Sequence, residues 1–206
     1  METIEQIAND MTVYSDMLVS SGLLHLKGGN LSARLGDELI ITRTRSFKKD
    51  LVPERLIRAA IFSDEPVENA SSVLSMHRAI YHKTDAKAII HSHPYYSALL
   101  SFFVNEFSPI DENGLIYLGA RIEVVAAQEF MRWEAVDEQM ADALVESNAA
   151  ILKWHGVFTK GQSMAEAFHH TQAIESAARY YLDIWRLQST LGEPSLAAYV
   201  EKPTWA

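Results

Sequence analysis

Hydrophobic residues recur at steps of three and four along several stretches of the chain, which is the spacing of an amphipathic α-helix. The pattern predicts four helices, at residues 4–19, from Ser71 onward, at 134–147 and at 164–188. The apolar side of the last one would carry Phe168, Ile174, Ala178, Tyr181 and Trp185. The adjacent His169 and His170 cannot share one face of that helix, so we expect them at the surface or at an interface.

Other stretches alternate between apolar and polar residues, or are short apolar runs that end at turn residues, as β-strands do. Leu31, Ala33 and Leu35 alternate with polar residues and precede the Gly36-Asp37 turn, which predicts a β-hairpin up to Thr42. Further strands are predicted at 58–63, 88–93 and 115–127, and residues 149–161 are predicted to form an apolar strand, a His155-Gly156 turn and a short returning strand. We also predict a short helix after Pro53, a loop at 105–114 and a short helical piece in the tail after Leu191.

Composition narrows the class of protein. A chain of 206 residues favours a single domain, residues 1–206, with a sizeable core. The net charge of −9 and the lack of a basic stripe argue against nucleic acid as a partner. There is no cysteine, hence no disulfide, thiolate nucleophile or cysteine-ligated zinc. With no secretory signal or membrane-spanning run in the sequence, we expect a cytoplasmic protein without a membrane partner.

Histidines stand at the ends of two predicted strands. His91 and His93 are two residues apart in AIIHSHP, so their side chains would project to the same face. Neutral imidazole is a favoured ligand of zinc, and without cysteine any metal must be held by histidine and carboxylate. His155 ends the other strand. The pattern indicates a metal site, and the alternative is ordinary histidines near a strand end.

Two polar stretches could contact a ligand. Gly28 and Gly29 precede Asn30 and would let backbone N–H groups approach a ligand, or they form a plain tight turn. Ser71 and Ser72 would cap the helix that they start, or would bind phosphate at its N-terminus.

Taken together, these segments resemble the class II aldolase/adducin family, which includes L-fuculose-phosphate aldolase. The motifs that carry the resemblance follow the family's order: GGNLSAR, ITRT, ASSVLSMHRAIY, AKAIIHSHPYYSALLS and AAILKWHGVFTKGQSMAEAF. The resemblance runs from the first helix to about Leu191. It implies a three-layer α/β/α sandwich with a mainly antiparallel sheet, and a homotetramer with sites at subunit interfaces.

The resemblance also implies a site. His91, His93 and His155 match the family's metal ligands, with zinc the expected divalent ion. In the family the oxygens of a phosphorylated sugar chelate the metal, which stabilises an enediolate while a C–C bond breaks. The family's phosphate-binding positions are matched by Asn30, Thr44, Ser71 and Ser72. His77 matches a histidine often found there, as a structural or supporting residue.

Two positions depart from the family's pattern. The catalytic glutamate that follows the serine pair is replaced by Val73, which can neither accept a proton nor bind zinc. In the phosphate loop, Arg45 stands where glycine is usual and adds a charged fork suited to phosphate or carboxylate. Substitute bases are sought among Glu68, Asp111, Glu112 and Tyr117.

Three functions remain open from the sequence. The first is an aldolase-like lyase of a sugar phosphate that uses a substitute base. The second is a related metal-dependent lyase such as a decarboxylase, with Arg43 or Arg45 holding a carboxylate, because decarboxylation forms an enolate without removing a C–H or O–H proton. The third is a non-catalytic adducin-like assembly domain, against which the three metal histidines argue.

Overall fold

An eight-stranded sheet runs through the middle of the protein. The computed structural model describes residues 3–46, 48–49, 51–128 and 133–191. The strands are β1 (Asn30–Leu35), β2 (Glu38–Thr42), β3 (Leu56–Ala60), β4 (Ala88–Ser92), β5 (Glu106–Phe107), β6 (Ile122–Val125), β7 (Ala149–Leu152) and β8 (Gly156–Gly161). Their order is β3-β2-β1-β4-β8-β7-β6-β5. Only β6 and β7 pair in parallel, so within the described residues the sheet is mainly antiparallel, as predicted.

Helices cover both faces of the sheet. They are α1 (Ile4–Ser20), α2 (Leu74–Lys83), α3 (Tyr95–Leu100), α4 (Glu112–Leu118), α5 (Asp137–Glu146) and α6 (Met164–Leu191), with 3₁₀ turns at Pro53–Arg55 and Trp133–Val136. On one face α2 and α5 bury an apolar cluster that includes Ile80 and Phe158. On the other face α1, α3, α4 and α6 bury two more clusters. The predicted three-layer α/β/α sandwich is confirmed.

The segment between β5 and β6 corrects the prediction. Residues 115–118 belong to α4, although the sequence predicted a strand over 115–127, and β5 lies inside the predicted loop. The carboxylate of Asp111 accepts a hydrogen bond from the backbone N–H of Gly114 at 3.0 Å, which caps α4. Leu118 is buried in a cluster with Ile174 of α6. Tertiary packing and a cap therefore outweigh the apolar β-like composition of this segment.

Other local predictions also change. The predicted strand at 58–63 lies earlier, at Leu56–Ala60. Helix α2 begins at Leu74 and its N-cap residue, Val73, makes no capping hydrogen bond, so of the two roles considered for Ser71 and Ser72, capping of this helix is not the one observed. His170 is buried and not at the surface, because its ring bonds the carbonyl of Lys160.

Two predictions concern the ends of the apolar pattern. Trp185 is 40% exposed, so the apolar side of α6 extends beyond the part of that helix that packs on the sheet. The predicted helical piece after Leu191 lies outside the described residues. Among the described helices, none combines the length and the apolar composition that a membrane span requires.

Candidate active site

Three histidine rings meet at the end of the central strands. His91 lies near the end of β4, His93 follows that strand, and His155 lies in the turn between β7 and β8. Antiparallel pairing of β4 with β8 brings the two segments together. The Nε2 atom of His91 lies 3.1 Å from Nε2 of His155 and 3.2 Å from Nε2 of His93. One ring nitrogen from each of the three lies within 4.8 Å of the others.

The environment keeps these rings neutral and turns the lone pair of His91 inward. The Nδ1–H of His91 donates to the carbonyl of Val157 at 2.9 Å, which leaves its Nε2 lone pair facing the cluster. Burial lowers the pKa of His91 well below its usual range and lowers the pKa of His93 to about 4. Burial also lowers the pKa of His155. Neutral imidazoles are the form that binds metal ions.

The spacing of the nitrogens fits a tetrahedral divalent ion. Zinc with bonds of about 2.0–2.1 Å holds neighbouring ligand nitrogens about 3.3 Å apart. The contacts of 3.1 and 3.2 Å between the His91, His155 and His93 nitrogens are close to that spacing. Neutral acceptor nitrogens that face one another repel unless a cation or proton lies between them. The donor set therefore fits a metal bound by three histidines with further positions open to ligands.

Glycines allow the backbone to pass close to these histidines. A Cβ at Gly28 would lie 2.9 Å from Nδ1 of His93, and one at Gly156 would lie 2.7 Å from its Cδ2. Gly29 has a φ of +59°, and a Cβ there would overlap the carbonyl oxygen of His91. Neither predicted role of the Gly28-Gly29 pair included the main constraint on these residues. The structure shows that their backbone packs closely against His91 and His93, which leaves little room for a side chain.

A cavity of about 510 Å³ opens beside the three histidines. Its lining also contains amide, hydroxyl and cationic groups from three separate segments, and comprises Lys27, Gly28, Gly29, Asn30, Thr44, Arg45, Ser71, Ser72, Val73, His91, His93 and His155. The fold thus gathers all of the predicted metal and phosphate positions around one cavity. Because Asn30 is the register partner of His91 across β1 and β4, the two sites are adjacent.

The loop after β2 adds Thr44 and Arg45 to the cavity. The backbone N–H of Thr44 donates to the carbonyl of Asn69 at 3.1 Å, which ties the loop to the segment before Ser71. Arg45 has a φ of 52°, so it adopts the left-handed conformation that glycine accepts more readily. The arginine therefore keeps a backbone shape suited to glycine while adding a cation to the cavity.

Val73 contributes an apolar wall. Its side chain is 5% exposed and packs in the cluster between α2 and the sheet. None of the described residues that line the cavity is an aspartate, glutamate or tyrosine. The cavity as formed by the described part of one chain therefore contains no carboxylate base.

The four candidate substitute bases lie elsewhere in the chain. Glu68 is exposed, and its carboxylate accepts a hydrogen bond from the side chain of Asn69. Asp111 caps α4, and Glu112 and Tyr117 are exposed on that helix. The ring of Tyr117 packs edge-on against His169 of α6, with centroids 4.4 Å apart. None of the four lines the cavity within its own chain.

Sequence reasoning missed two supporting lysines. Lys27 lines the cavity next to the glycine pair. Lys48 is buried, which lowers its pKa to about 8, and its Nζ donates to the carbonyl of Ser46 at 2.9 Å. No role was predicted for this polar, basic stretch, and its pattern does not indicate which lysine is buried.

The chain has recognisable relatives. The family profile described as "Class II Aldolase and Adducin N-terminal domain" matches residues 9–182. The L-fuculose phosphate aldolase of Methanocaldococcus jannaschii is 29% identical over 160 residues, which cover 75% of this chain and 84% of that one. The methylthioribulose-1-phosphate dehydratase of Methylococcus capsulatus is 30% identical over 168 residues, which cover 75% of this chain and 82% of that one.

A solved structure extends the likeness to the fold. The crystal structure of L-fuculose-1-phosphate aldolase from Thermus thermophilus is 28% identical, with a TM-score of 0.82, and the match covers 91% of this chain and 99% of that one. The profile match spans most of the chain, and the motifs of that family are the segments that build the cavity. On this evidence the chain belongs to the class II aldolase and adducin family.

Proposed function

We propose that this protein is a metal-dependent lyase that acts on a phosphorylated sugar or a related acid. The observation that carries the proposal is one cavity that combines a three-histidine cluster with a group of anion-binding donors. Backbone and hydroxyl donors near the start of α2, together with Arg45, suit a phosphate group. The aldolase and dehydratase relatives are named for sugar phosphates. A non-catalytic assembly domain would not need three histidines that converge on such a cavity, which argues against that alternative.

Zinc is the ion that we assign to His91, His93 and His155. A divalent ion held there would act as a Lewis acid toward an oxygen of the substrate and stabilise negative charge that develops on it. The chain's own contribution is to hold the three rings neutral and oriented, through burial and the bond from His91 to the carbonyl of Val157.

Removal of one ring should abolish tight metal binding. We expect the dialysed wild-type protein to retain about one zinc ion per chain, and His91→Ala and His155→Ala to retain far less. His82→Ala is the matched control, because His82 is an exposed histidine on α2 and should leave the zinc content unchanged. The measurement is the zinc content per chain of folded protein that has been supplied with zinc. Equal, near-zero zinc in wild type and both variants would contradict the assignment.

The first candidate reaction is aldol cleavage of a ketose 1-phosphate, as in the L-fuculose-phosphate aldolases that this chain is similar to. This reaction needs a proton acceptor, and Val73 removes the family's usual one. Glu112 and Tyr117 are exposed on α4, so a neighbouring subunit could present them to the cavity. We assign them as the substitute acid–base groups of this candidate.

The second candidate is decarboxylation of a phosphorylated keto acid. Two observations favour it: the described lining lacks a carboxylate, and Arg45 adds a permanent cation. Loss of CO₂ from a 3-keto acid generates the enolate directly, so no base is needed to remove a C–H or O–H proton. The loss of the glutamate therefore matters least for this reaction. Between the two predicted arginines, Arg45 lines the cavity and Arg43 does not.

Val73→Glu should separate the two candidates. If the wild type has no base for aldol cleavage, we expect Val73→Glu to raise cleavage of L-fuculose 1-phosphate by about 10²–10⁴-fold, the usual contribution of a positioned base. If Glu112 and Tyr117 already serve as the acid–base groups, we expect a much smaller gain. Val73→Gln is the matched control, since it has a similar size but neither the charge nor the basicity. The measurement is the cleavage rate of zinc-loaded protein, after thermal unfolding has shown that both variants fold, because a buried glutamate without a partner is destabilising.

One result would contradict this account of the missing base. It is a fast wild-type rate that Val73→Glu does not improve and that survives replacement of Glu112 and Tyr117. Turnover of a 3-keto acid phosphate by the wild type would instead support decarboxylation.

Arg45→Gly tests the added cation. Glycine removes the strain of the left-handed conformation, which stabilises the fold by about 1–2 kcal/mol. It also raises the entropy of the unfolded chain, which destabilises the fold by about 0.5–1 kcal/mol. The free energy of unfolding should therefore change by about 1 kcal/mol or less. The KM for the keto acid phosphate should rise about tenfold or more, since a hydrogen bond to a charged group contributes about 1.5–3 kcal/mol. Arg43→Gln, at the neighbouring exposed arginine, should leave KM unchanged. Equal KM values for wild type and Arg45→Gly would rule out this role.

We further propose a homotetramer that completes the cavity. Exposed aromatic side chains lie close to the metal site: Phe102 is 59% exposed and packs on Trp154, the neighbour of His155. Exposed apolar patches of this kind mark contacts between proteins. Phe103 and Trp185 extend the patch, with ring centroids 6.4 Å apart.

Light scattering tests the assembly. We expect the wild type to have about four times the chain mass of 23.1 kDa, and Phe102→Asp to shift the distribution toward smaller species because it places a charge in an apolar contact. Phe62→Asp is the control, since Phe62 is equally exposed, at 61%, but packs against His82 at a different site. A single wild-type species near 23 kDa at micromolar concentration would contradict the tetramer.

A further inference from the structure

A chain of hydrogen bonds leads from the core to the cavity. The hydroxyl of Tyr81 lies 2.9 Å from Oγ of Ser32, which lies 2.7 Å from Nδ1 of His77. The other ring nitrogen of His77 bonds Oδ1 of Asn30. The amide nitrogen of Asn30 donates to Oγ of Ser71 at 3.0 Å. The first three residues are completely buried, and Ser71, at the far end, lines the cavity.

In each hydrogen bond of such a chain, either partner can be the donor. The Tyr81 end of the chain determines which partner donates. Burial raises the pKa of Tyr81 well above its usual range, so the oxygen keeps its hydrogen. Among the described residues, the hydrogen-bond partner of this hydroxyl is Oγ of Ser32, which can accept. A buried O–H that donates to nothing is unfavourable by the full cost of its desolvation. Tyr81 therefore donates to Ser32.

The direction then passes from one residue to the next. Ser32 uses its own hydrogen for Nδ1 of His77, so that nitrogen is an acceptor. His77 must then carry its hydrogen on Nε2 and donate it to Oδ1 of Asn30. Burial lowers the pKa of His77 to about 3, so the ring does not carry a second hydrogen near neutral pH. Asn30, held by its oxygen, presents its NH₂ group to Ser71.

Ser71 is thus left with a hydrogen that no described residue accepts. Its oxygen receives the hydrogen bond from Asn30, and its O–H is directed away from that bond, beside the cavity. An oxyanion in the cavity would meet a donor. If the chain ran in the opposite direction, Ser71 would donate to Asn30 and would present lone pairs to the oxyanion, which would repel it.

We propose that the Tyr81–Ser32–His77–Asn30–Ser71 network is polarised toward the cavity and holds the Ser71 hydroxyl as a fixed donor to a phosphate oxygen of the substrate. This inference rests on the proposed function for the phosphate itself. Ser32 and His77 are then positioning residues: they touch no substrate and act through Asn30 and Ser71. Both nitrogens of His77 are occupied in this arrangement, so it is neither a metal ligand nor a proton carrier.

The tautomer of His77 is the first measurement. The zinc-loaded protein is labelled with ¹⁵N-histidine, and the signal of His77 is assigned by its absence in His77→Gln. We expect the Nε2–H tautomer in the wild type. The Nδ1–H tautomer, or a doubly protonated ring at neutral pH, would overturn the proposal, because either would reverse or break the direction of the chain.

The second measurement is the affinity of zinc-loaded protein for inorganic phosphate by calorimetry. Ser71→Ala removes the donor directly, and we expect affinity to fall about tenfold. Ser32→Ala releases the orientation of His77 and Asn30, and we expect a loss of similar size. If Ser32 acts through Ser71, the double variant loses no more than Ser71→Ala alone. Thr171→Val is the control, since it removes another fully buried hydroxyl, one bonded to Thr159, and should leave affinity unchanged.

These measurements distinguish failure of the hydrogen-bond coupling from failure of the proposed phosphate site. Additive losses in the double variant, or phosphate binding by Ser32→Ala as tight as that by Thr171→Val, would overturn the coupling. The Nε2–H tautomer together with no phosphate binding by the wild type would refute the phosphate site, and with it the ligand assigned to Ser71. A non-additive loss with the Nε2–H tautomer supports both.

Discussion

The antiparallel pairing of β4 with β1 on one side and β8 on the other is the constraint on which the site depends. Its register places Asn30 opposite His91 on one side and Phe158 opposite His91 on the other. Phe158 stacks on the His91 ring with centroids 4.2 Å apart, and the neighbouring Val157 carbonyl sets the tautomer of that ring. A shift of one residue in either pairing would turn these side chains to the opposite face of the sheet.

The site separates the holding of a ligand from the chemistry done on it. The three histidines meet the segments predicted to bind phosphate in one cavity, while Val73, at the position where the resemblance led us to expect a catalytic glutamate, lies in an apolar cluster. Burial disfavours charge at both positions. It keeps the histidines neutral, the form that binds metal ions, and it makes an ionised group at residue 73 unfavourable unless that group has a partner. Among the described residues of one chain, no carboxylate lines the cavity, so none of them supplies a base at the three histidines.

Local patterns predicted most elements but not the details that depend on packing. The helical spacing at residues 4–19 and 164–188 and the hairpin at Gly36-Asp37 appear as α1, α6 and the β1–β2 pair, because a long apolar stripe or a tight turn is a strong local signal. The segment at 115–118 was misjudged, since a capped helix packed on α6 competes with its strand-like composition. The sequence left Ser71 as either a helix cap or a phosphate ligand, because its bond to Asn30, 41 residues away, cannot be predicted from its neighbours in the chain.

The sequence by itself determined the family, the α/β class and the identity of the residues that the family's motifs match, since these depend on residue type and order. It also led us to expect that Val73 stands at the position of the family's catalytic glutamate. Only the tertiary structure decided that the three histidine nitrogens converge, that Gly28 and Gly156 make room for them, and that His77 is linked to the cavity through Asn30. These features are distances between residues far apart in the chain, so they exist only once the sheet has set its register and the helices have packed on it.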